Sequence, residues 1–177
     1  CERKYVASAT ALSGAQAVVA LHCAPDTAHP CGIVESIYFD DGWLSSYFEK
    51  TNGDFFKRKV RFRWYSPLAG APPCFGTIPA FLDVKDRVGA VREKRHVAFQ
   101  ADAAILNAPT LRTADLKRTL EREMLAAGLP IAGTLEPMLA IRYRRQRFVC
   151  PATGAKINLD SEIRSPRSNP DIFPGCL

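Results

Sequence analysis

The sequence predicts an α+β fold in which an antiparallel β-sheet curls into a barrel or tunnel, with helices packed on its outside. Three segments carry this expectation. KRKVRFRWYSP alternates Lys59, Arg61 and Arg63 with Val60, Phe62 and Trp64, and successive side chains of a strand point to opposite faces, so the cations share one face and the bulky apolar groups the other. LDVKDR repeats the pattern with Asp83, Lys85 and Arg87 on one face, and YRRQRF does so with Arg145 and Arg147 beside Tyr143. A sheet that is apolar on one side and arginine-rich on the other meets both demands if helices cover the apolar outside and the cations face a lumen.

Taken in order, residues 9–24 are small and apolar, which predicts a short helix packed on the sheet, weakened at Gly14 and ended by Pro25. GIVESIYFDDG reads as a strand running into an Asp-Gly turn. WLSSYFEKTNGD then has helical spacing at Trp43 and Tyr47 and at Leu44 and Phe48, and Asn52-Gly53 closes it. After the basic strand, Pro67 to Pro79 holds four prolines and two glycines and reads as a loop. Ile78 to Phe99 reads as two strands broken near Gly89. Leu116, Leu120 and Met124 recur every four residues between Thr113, an N-cap residue type, and the stop at Gly128 and Pro130. LAIRYRRQRFVC and KINLDSEI form a hairpin about Ala152-Thr153-Gly154, and RSPRSNPDIFPGCL reads as an exposed tail.

At 177 residues the chain fits one domain, residues 1–177. It opens on Cys1 and not on Met, which reads as a piece of a longer protein. No stretch approaches the roughly 18 consecutive apolar residues of a membrane span, so no membrane contact is expected. Six cysteines at irregular spacing predict reduced thiols and a cytoplasmic location. His22, Cys23, His29 and Cys31 match no structural-zinc spacing.

The net charge of +6 predicts attraction to polyanions. Solvated faces usually mix both signs, whereas these strand faces are heavily cationic. Arginine's planar fork suits the oxygens of a phosphate chain, so a triphosphate or polyphosphate fits better than a single carboxylate. Nucleic acid is a competing partner, with Phe62, Trp64 and Tyr143 among the cations. It is disfavoured because Phe62 and Trp64 face away from the arginines they would have to accompany in base stacking.

CERKY, SIYFDD, KVRFRWY, LDVKDR followed by a Lys-Arg pair, YRRQRF and KINLDSEI occur in an order that resembles the polyphosphate-polymerase domain of the vacuolar transporter chaperone (VTC) family, within the triphosphate-tunnel (CYTH-like) superfamily. The resemblance covers nearly the whole chain. It implies a tunnel that binds ATP and polyphosphate or tripolyphosphate, with Mn²⁺ or Mg²⁺, and transfers phosphoryl groups to a growing chain. Arg61 and Arg63 match its paired phosphate-binding arginines, Lys85 and Lys94 the lysines of its middle strands, and Arg145 the arginine of the Tyr-x-Arg-x-x-Phe strand. Lys4 matches a phosphate ligand of the opening strand, and Lys156 stands where the family often has arginine. Lys59 and Arg87 extend the same faces as substrate contacts. Arg61, Arg63, Lys85 and Arg145 form the expected catalytic set, since phosphoryl transfer asks mainly for alignment and charge stabilisation. Glu2 and then Asp160 are the candidate metal ligands, while Tyr38 and Asp40 are assigned to structure.

Two departures qualify the match. The family's LE-x-K motif reads LDVK, placing Asp83 where a glutamate is usual. The family pattern also continues into a strand with a metal-binding glutamate, and the chain reaches Leu177 before it, so a tunnel lacking its last strand or strands is expected. Alternatives to the polymerase are a triphosphate hydrolase and a polyphosphate or inositol-phosphate sensor without turnover.

Overall fold

Alternating burial along the strands builds the molecule, a computed structural model that describes residues 3–69, 75–131 and 133–174. Its strands are β1 (Ala24–Pro25), β2 (Cys31–Asp40), β3 (Phe56–Ser66), β4 (Thr77–Val88), β5 (Val91–Asp102), β6 (Glu136–Val149) and β7 (Lys156–Ser168). All pair antiparallel in one sheet of order β1-β6-β2-β3-β4-β5, and β7 also pairs with β6. The sheet curls into a half-barrel. Among the described residues its path ends at β5 and β7 without closing.

The apolar face follows directly from period-two alternation. Val60, Phe62 and Trp64 of β3 are buried, and Phe62 lies in register between Ile37 of β2 and Leu82 of β4, both fully buried. Phe62 meets Phe39 edge-on at 5.0 Å and Phe99 at 4.9 Å. Helix α4 (Ala114–Ala126) covers this face with the stripe Leu116, Leu120 and Met124, all buried in the same core cluster. Each fully buried side chain of this size contributes roughly 1.5–3 kcal/mol. Gly128, at φ +64°, lets the chain leave α4 in the left-handed conformation.

Helix α2 (Ser45–Asn52) depends on the paired aspartates of SIYFDD. Asp40 Oδ1 accepts the Ser46 amide at 2.9 Å and Oδ2 the Tyr47 amide at 3.2 Å, while Asp41 accepts from Trp43 and Ser45. These amides are the ones a helix start leaves without intrahelical partners. The assignment of Asp40 to structure agrees with this capping.

Several expectations need correction. The amino-terminal segment forms a 3-10 turn (Ala9–Ala11) and helix α1 (Leu12–His22), but neither has a buried residue. Leu12, Ala15, Gln16 and Val19 form a half-buried face, and Gln16 donates to Gln146 of β6, while Val18 and Leu21 stay exposed, so the helix meets the sheet only shallowly. The segment read as a loop to Pro79 already enters β4 at Thr77. Ala103 donates to Gly76 O at 2.9 Å, and that ladder phase directs residue 79 away from β5, past the last β3 pair at Trp64 and Ala80. Pro79 therefore breaks no ladder bond.

The tail read as exposed begins as strand, since β7 runs to Ser168 with Pro166 tolerated on an edge. Arg167 then donates to the Leu106 and Ala108 carbonyls, and buried Asn169 donates to Pro137 O. Helix α3 (Ala103–Leu106), capped by Asp102, was not anticipated.

Phe62→Ala is expected to cost about 3–5 kcal/mol through the cavity it leaves. Leu21→Ala, on exposed α1, should stay within about 0.5 kcal/mol. Urea unfolding midpoints compare the two.

Candidate functional site

Strand register lays the polar face out in rows. The first row is Lys59, Lys85 and Lys94; the second is Tyr38, Arg61, Asp83 and His96; the third begins Ser36, Arg63 and Phe81. Side chains in one row stand on neighbouring strands about 4.8 Å apart.

The second row is organised by Asp83, whose carboxylate is buried. Arg61 Nε donates to Oδ2 at 2.9 Å, a guanidinium nitrogen of Arg63 pairs with the same oxygen, and His96 Nδ1 lies 2.6 Å from Oδ1. Arg61 also donates to the Tyr38 hydroxyl at 2.9 Å, and the His96 ring stacks on Phe81 at 4.4 Å. Burial opposes the charge on Arg61, but Tyr38 and Asp83 outweigh it and hold its pKa above the ordinary value. Arg63 Nε and Ser36 Oγ are buried without a hydrogen-bond partner. Such atoms are rarely left unpaired, and these two belong to one row of the cationic face.

No carboxylate among the described residues bonds to the first row in this way, although Asp40 acts on Lys59 from nearby. None of Lys59, Lys85 and Lys94 makes an ion pair among the described residues. Burial depresses the pKa of Lys59, and Lys50, Lys85 and Lys4 depress it further against the pull of Asp40. Like charges directly opposite on neighbouring strands destabilise a sheet, so this row repels itself. Lys50 reaches it from α2. Beside it a cavity of about 560 Å³ opens among Leu44, Tyr47, Val60 and Met138, with Lys50 and Lys59 as its only cations. Its chiefly apolar lining makes it a poor place for an anion, and we assign the polar site to the rows themselves.

At the β6–β7 end Arg145 pairs with Asp160 through two bonds of 2.7 Å, and that pairing, against the opposing effect of burial, raises the Arg145 pKa. Arg145 lies over Tyr143 at 5.2 Å and Arg147 over Tyr65 at 5.3 Å. Burial raises the Tyr143 pKa against the pull of Arg145 and of Arg61. Tyr65 belongs to β3 and Arg147 to β6, strands separated by β2, so their contact shows the sheet curling toward its cationic face. A second cavity, about 290 Å³, is lined by Asp26, His29, Arg145, Arg147, Phe148, Lys156 and Asn158.

The expected residues are thus gathered in part. Arg61 and Arg63 share Asp83, Lys4 acts on Lys59, Lys94 stands beside Lys85, and Arg145 shares a cavity with Lys156. Arg87 is held at the β4–β5 turn, where it donates to Gly89 O at 2.7 Å. Glu2 lies outside the described residues. Among those described, no three His, Cys, Asp or Glu side chains form a group able to hold a metal ion. Asp83 and Asp160 commit both oxygens to basic partners, so these residues do not fit a divalent ion by themselves.

His96, Tyr38 and Lys50 join the site beyond the expected set, as does Arg147, which was expected on the cationic face but given no role. His96 had a signal, standing two residues from Lys94 on the same strand face. Lys50 had none, because α2 is brought to β3 by tertiary packing.

A family model described as the VTC domain matches residues 1–172. No curated protein matches the chain. No helix among the described residues is long and apolar enough to cross a membrane.

Asp83→Asn removes the anion between two guanidiniums while keeping the side chain's shape. It is expected to cost about 3 kcal/mol, the range for breaking a buried ion pair, and His96→Ala less than half of that. Chemical denaturation of both variants checks the order.

Proposed function

The chain belongs to the VTC domain family, matched over residues 1–172, and from that membership, which points to polyphosphate-related function, we propose that its cationic face holds the phosphate chain of ATP or polyphosphate and aligns it for phosphoryl transfer. The observation that carries this reading is the row Lys59, Lys85 and Lys94, three cations in register that make no ion pair among the described residues. A sheet keeps such a row at a cost, and a chain of phosphates is the ligand that offsets it. Arg61 and Arg63, oriented by Asp83, present forked donors to adjacent phosphate oxygens. Arg145 and Lys156 extend the track toward β7. Alignment of donor and acceptor, with positive charge around the transferred group, is what phosphoryl transfer requires of a protein.

Mn²⁺ or Mg²⁺, if held at this face, would supply further positive charge to the phosphate chain. The described carboxylates are engaged by arginine and histidine, so no step is assigned to a metal here. The same engagement favours a second reading, a module that binds polyphosphate without turnover. Release of free phosphate from ATP would instead mark a hydrolase.

Calorimetry is expected to rank tripolyphosphate and ATP above inorganic phosphate, because affinity accumulates over several charge-assisted contacts. Arg61→Ala or Lys85→Ala should weaken tripolyphosphate binding by about tenfold or more. Equal weak binding of all three ligands would remove the proposal. Polyphosphate synthesis from ATP with Mn²⁺, lost in Arg61→Ala, separates the enzyme from the binder.

The depressed pKa of Lys59 adds a proton signature. As pH rises, free Lys59 loses its proton below the ordinary lysine value of 10.5, whereas a bound polyanion favours the charged form. Tripolyphosphate binding should therefore take up protons in the alkaline window between the two pKa values, and little near neutrality. Titrations in buffers of different ionisation enthalpy measure the uptake, and Lys59→Met should reduce it.

A further inference from the structure

We propose that Cys23 and Cys150 are a redox-active thiol pair that closes into a disulfide across the β1–β6 ladder, clamping the amino-terminal helix to the sheet. The register of β1 on β6 pairs Ala24 with Val149 and Pro25 with Phe148, which brings Cys23 opposite Cys150 one step further on. Asp26 donates to Arg147 O at 2.9 Å, so positions 26/147 and 24/149 are hydrogen-bonded sites and 23/150 is a non-hydrogen-bonded site. The remaining amides agree with this phase: Cys23 donates to Val19 O and Cys150 to Ala155 O, outside the ladder. Directly opposed residues at such a site have Cα atoms about 4.5 Å apart, inside the range a disulfide spans. In the reduced form the two thiols lie near enough for each to shift the other's pKa.

The pair divides its roles. Cys150 sits at the start of the β6–β7 turn, where the Thr153 hydroxyl and the Thr153 and Ala152 amides hydrogen-bond its sulfur and lower its pKa. Cys23 is buried, and burial raises its pKa. Cys150 is thus the attacking thiolate and Cys23 the resolving thiol. With hydrogen peroxide as oxidant, Cys150 sulfur attacks one peroxide oxygen, an S–O bond forms, the O–O bond breaks and hydroxide leaves. Cys23 sulfur then attacks the sulfenic sulfur, the S–S bond forms and the S–O bond breaks. The departing hydroxide takes up the thiol proton, so two thiols and one peroxide yield one disulfide and two waters. Cys31 is not a rival, since it faces Gln146, four residues or about 13 Å along β6 from Cys150.

The clamp acts where the structure is thinly held. β1 contributes only two ladder residues, and no residue of α1 is buried. Beyond β1 the chain supplies Asp26 and His29 to the cavity that holds Arg145, Arg147 and Lys156. Closing the bond fixes this wall of the basic site.

The test treats the reduced chain with hydrogen peroxide and maps peptides after cleavage at Asp26, which separates Cys23 from Cys31. A 23–150 cross-link is expected, with a melting temperature raised by on the order of 10 °C and returned by dithiothreitol. Cys31→Ser should keep both effects, and Cys150→Ser should lose both. Oxidation that stops at sulfenic or sulfinic acid on Cys150, or a cross-link joining other cysteines, would overturn the proposal. A 23–150 link that leaves the melting temperature unchanged would overturn the clamp. Because the map is made on the unaltered chain, a variant that fails to fold does not remove the test.

Discussion

A carboxylate taken out of water costs several kcal/mol unless it is paired and hydrogen-bonded, and Asp83 meets that demand by gathering three basic groups at once. Two of them, Arg61 and Arg63, come from one strand, and His96 comes from the strand on the other side. The dependence is mutual. Without Asp83 the arginines would repel one another and swing toward water; without the arginines a buried aspartate would have no place on this face. One anion therefore turns a loose set of cations into donors of fixed direction, with Tyr38 steadying Arg61 from the neighbouring strand.

The opposite face makes that arrangement affordable. Phe62, Trp64, Leu82 and the α4 stripe are buried almost completely, and each contributes roughly 1.5–3 kcal/mol. Against this, like charges paired across strands cost on the order of 0.2–1 kcal/mol each. A handful of core side chains thus outweighs the lysine row, and the sheet can keep charges that would unfold a thinner core. The apolar core lies on one side of the strands and the cations on the other, joined only by the backbone.

Much of this division was legible in the sequence, because a strand's period of two cannot be mistaken when Lys, Arg and large apolar residues alternate as they do from Lys59 to Trp64. The α4 stripe was equally plain, and so was the β4–β5 turn at Gly89. What escaped depends on packing. The α1 sequence is apolar without being strongly one-sided, so composition suggested a helix packed on the sheet, and none of its residues is fully buried there. Pro166 and its serine neighbours suggested a loop, yet an edge strand tolerates proline. Tyr38 was assigned to structure, and its bond to Arg61 became visible only through the register of β2 on β3. The role of Asp83 was foreshadowed by its place in LDVK, although nothing local announced that its oxygens would be taken by arginines and a histidine.

The open ends of the half-barrel also bear on how copies of the chain behave toward one another. β5 presents Arg92, Lys94 and Arg95 along an exposed border, and β7 presents Arg164 and Pro166. Unpaired borders invite strand-to-strand aggregation, and lysine, arginine and proline are the residues that discourage it. The cations thus also act as spacers between molecules. That protection is electrostatic and shares the weakness of all such forces: at molar salt the screening length falls to about 3 Å, and neighbouring copies lose the repulsion that keeps their borders apart.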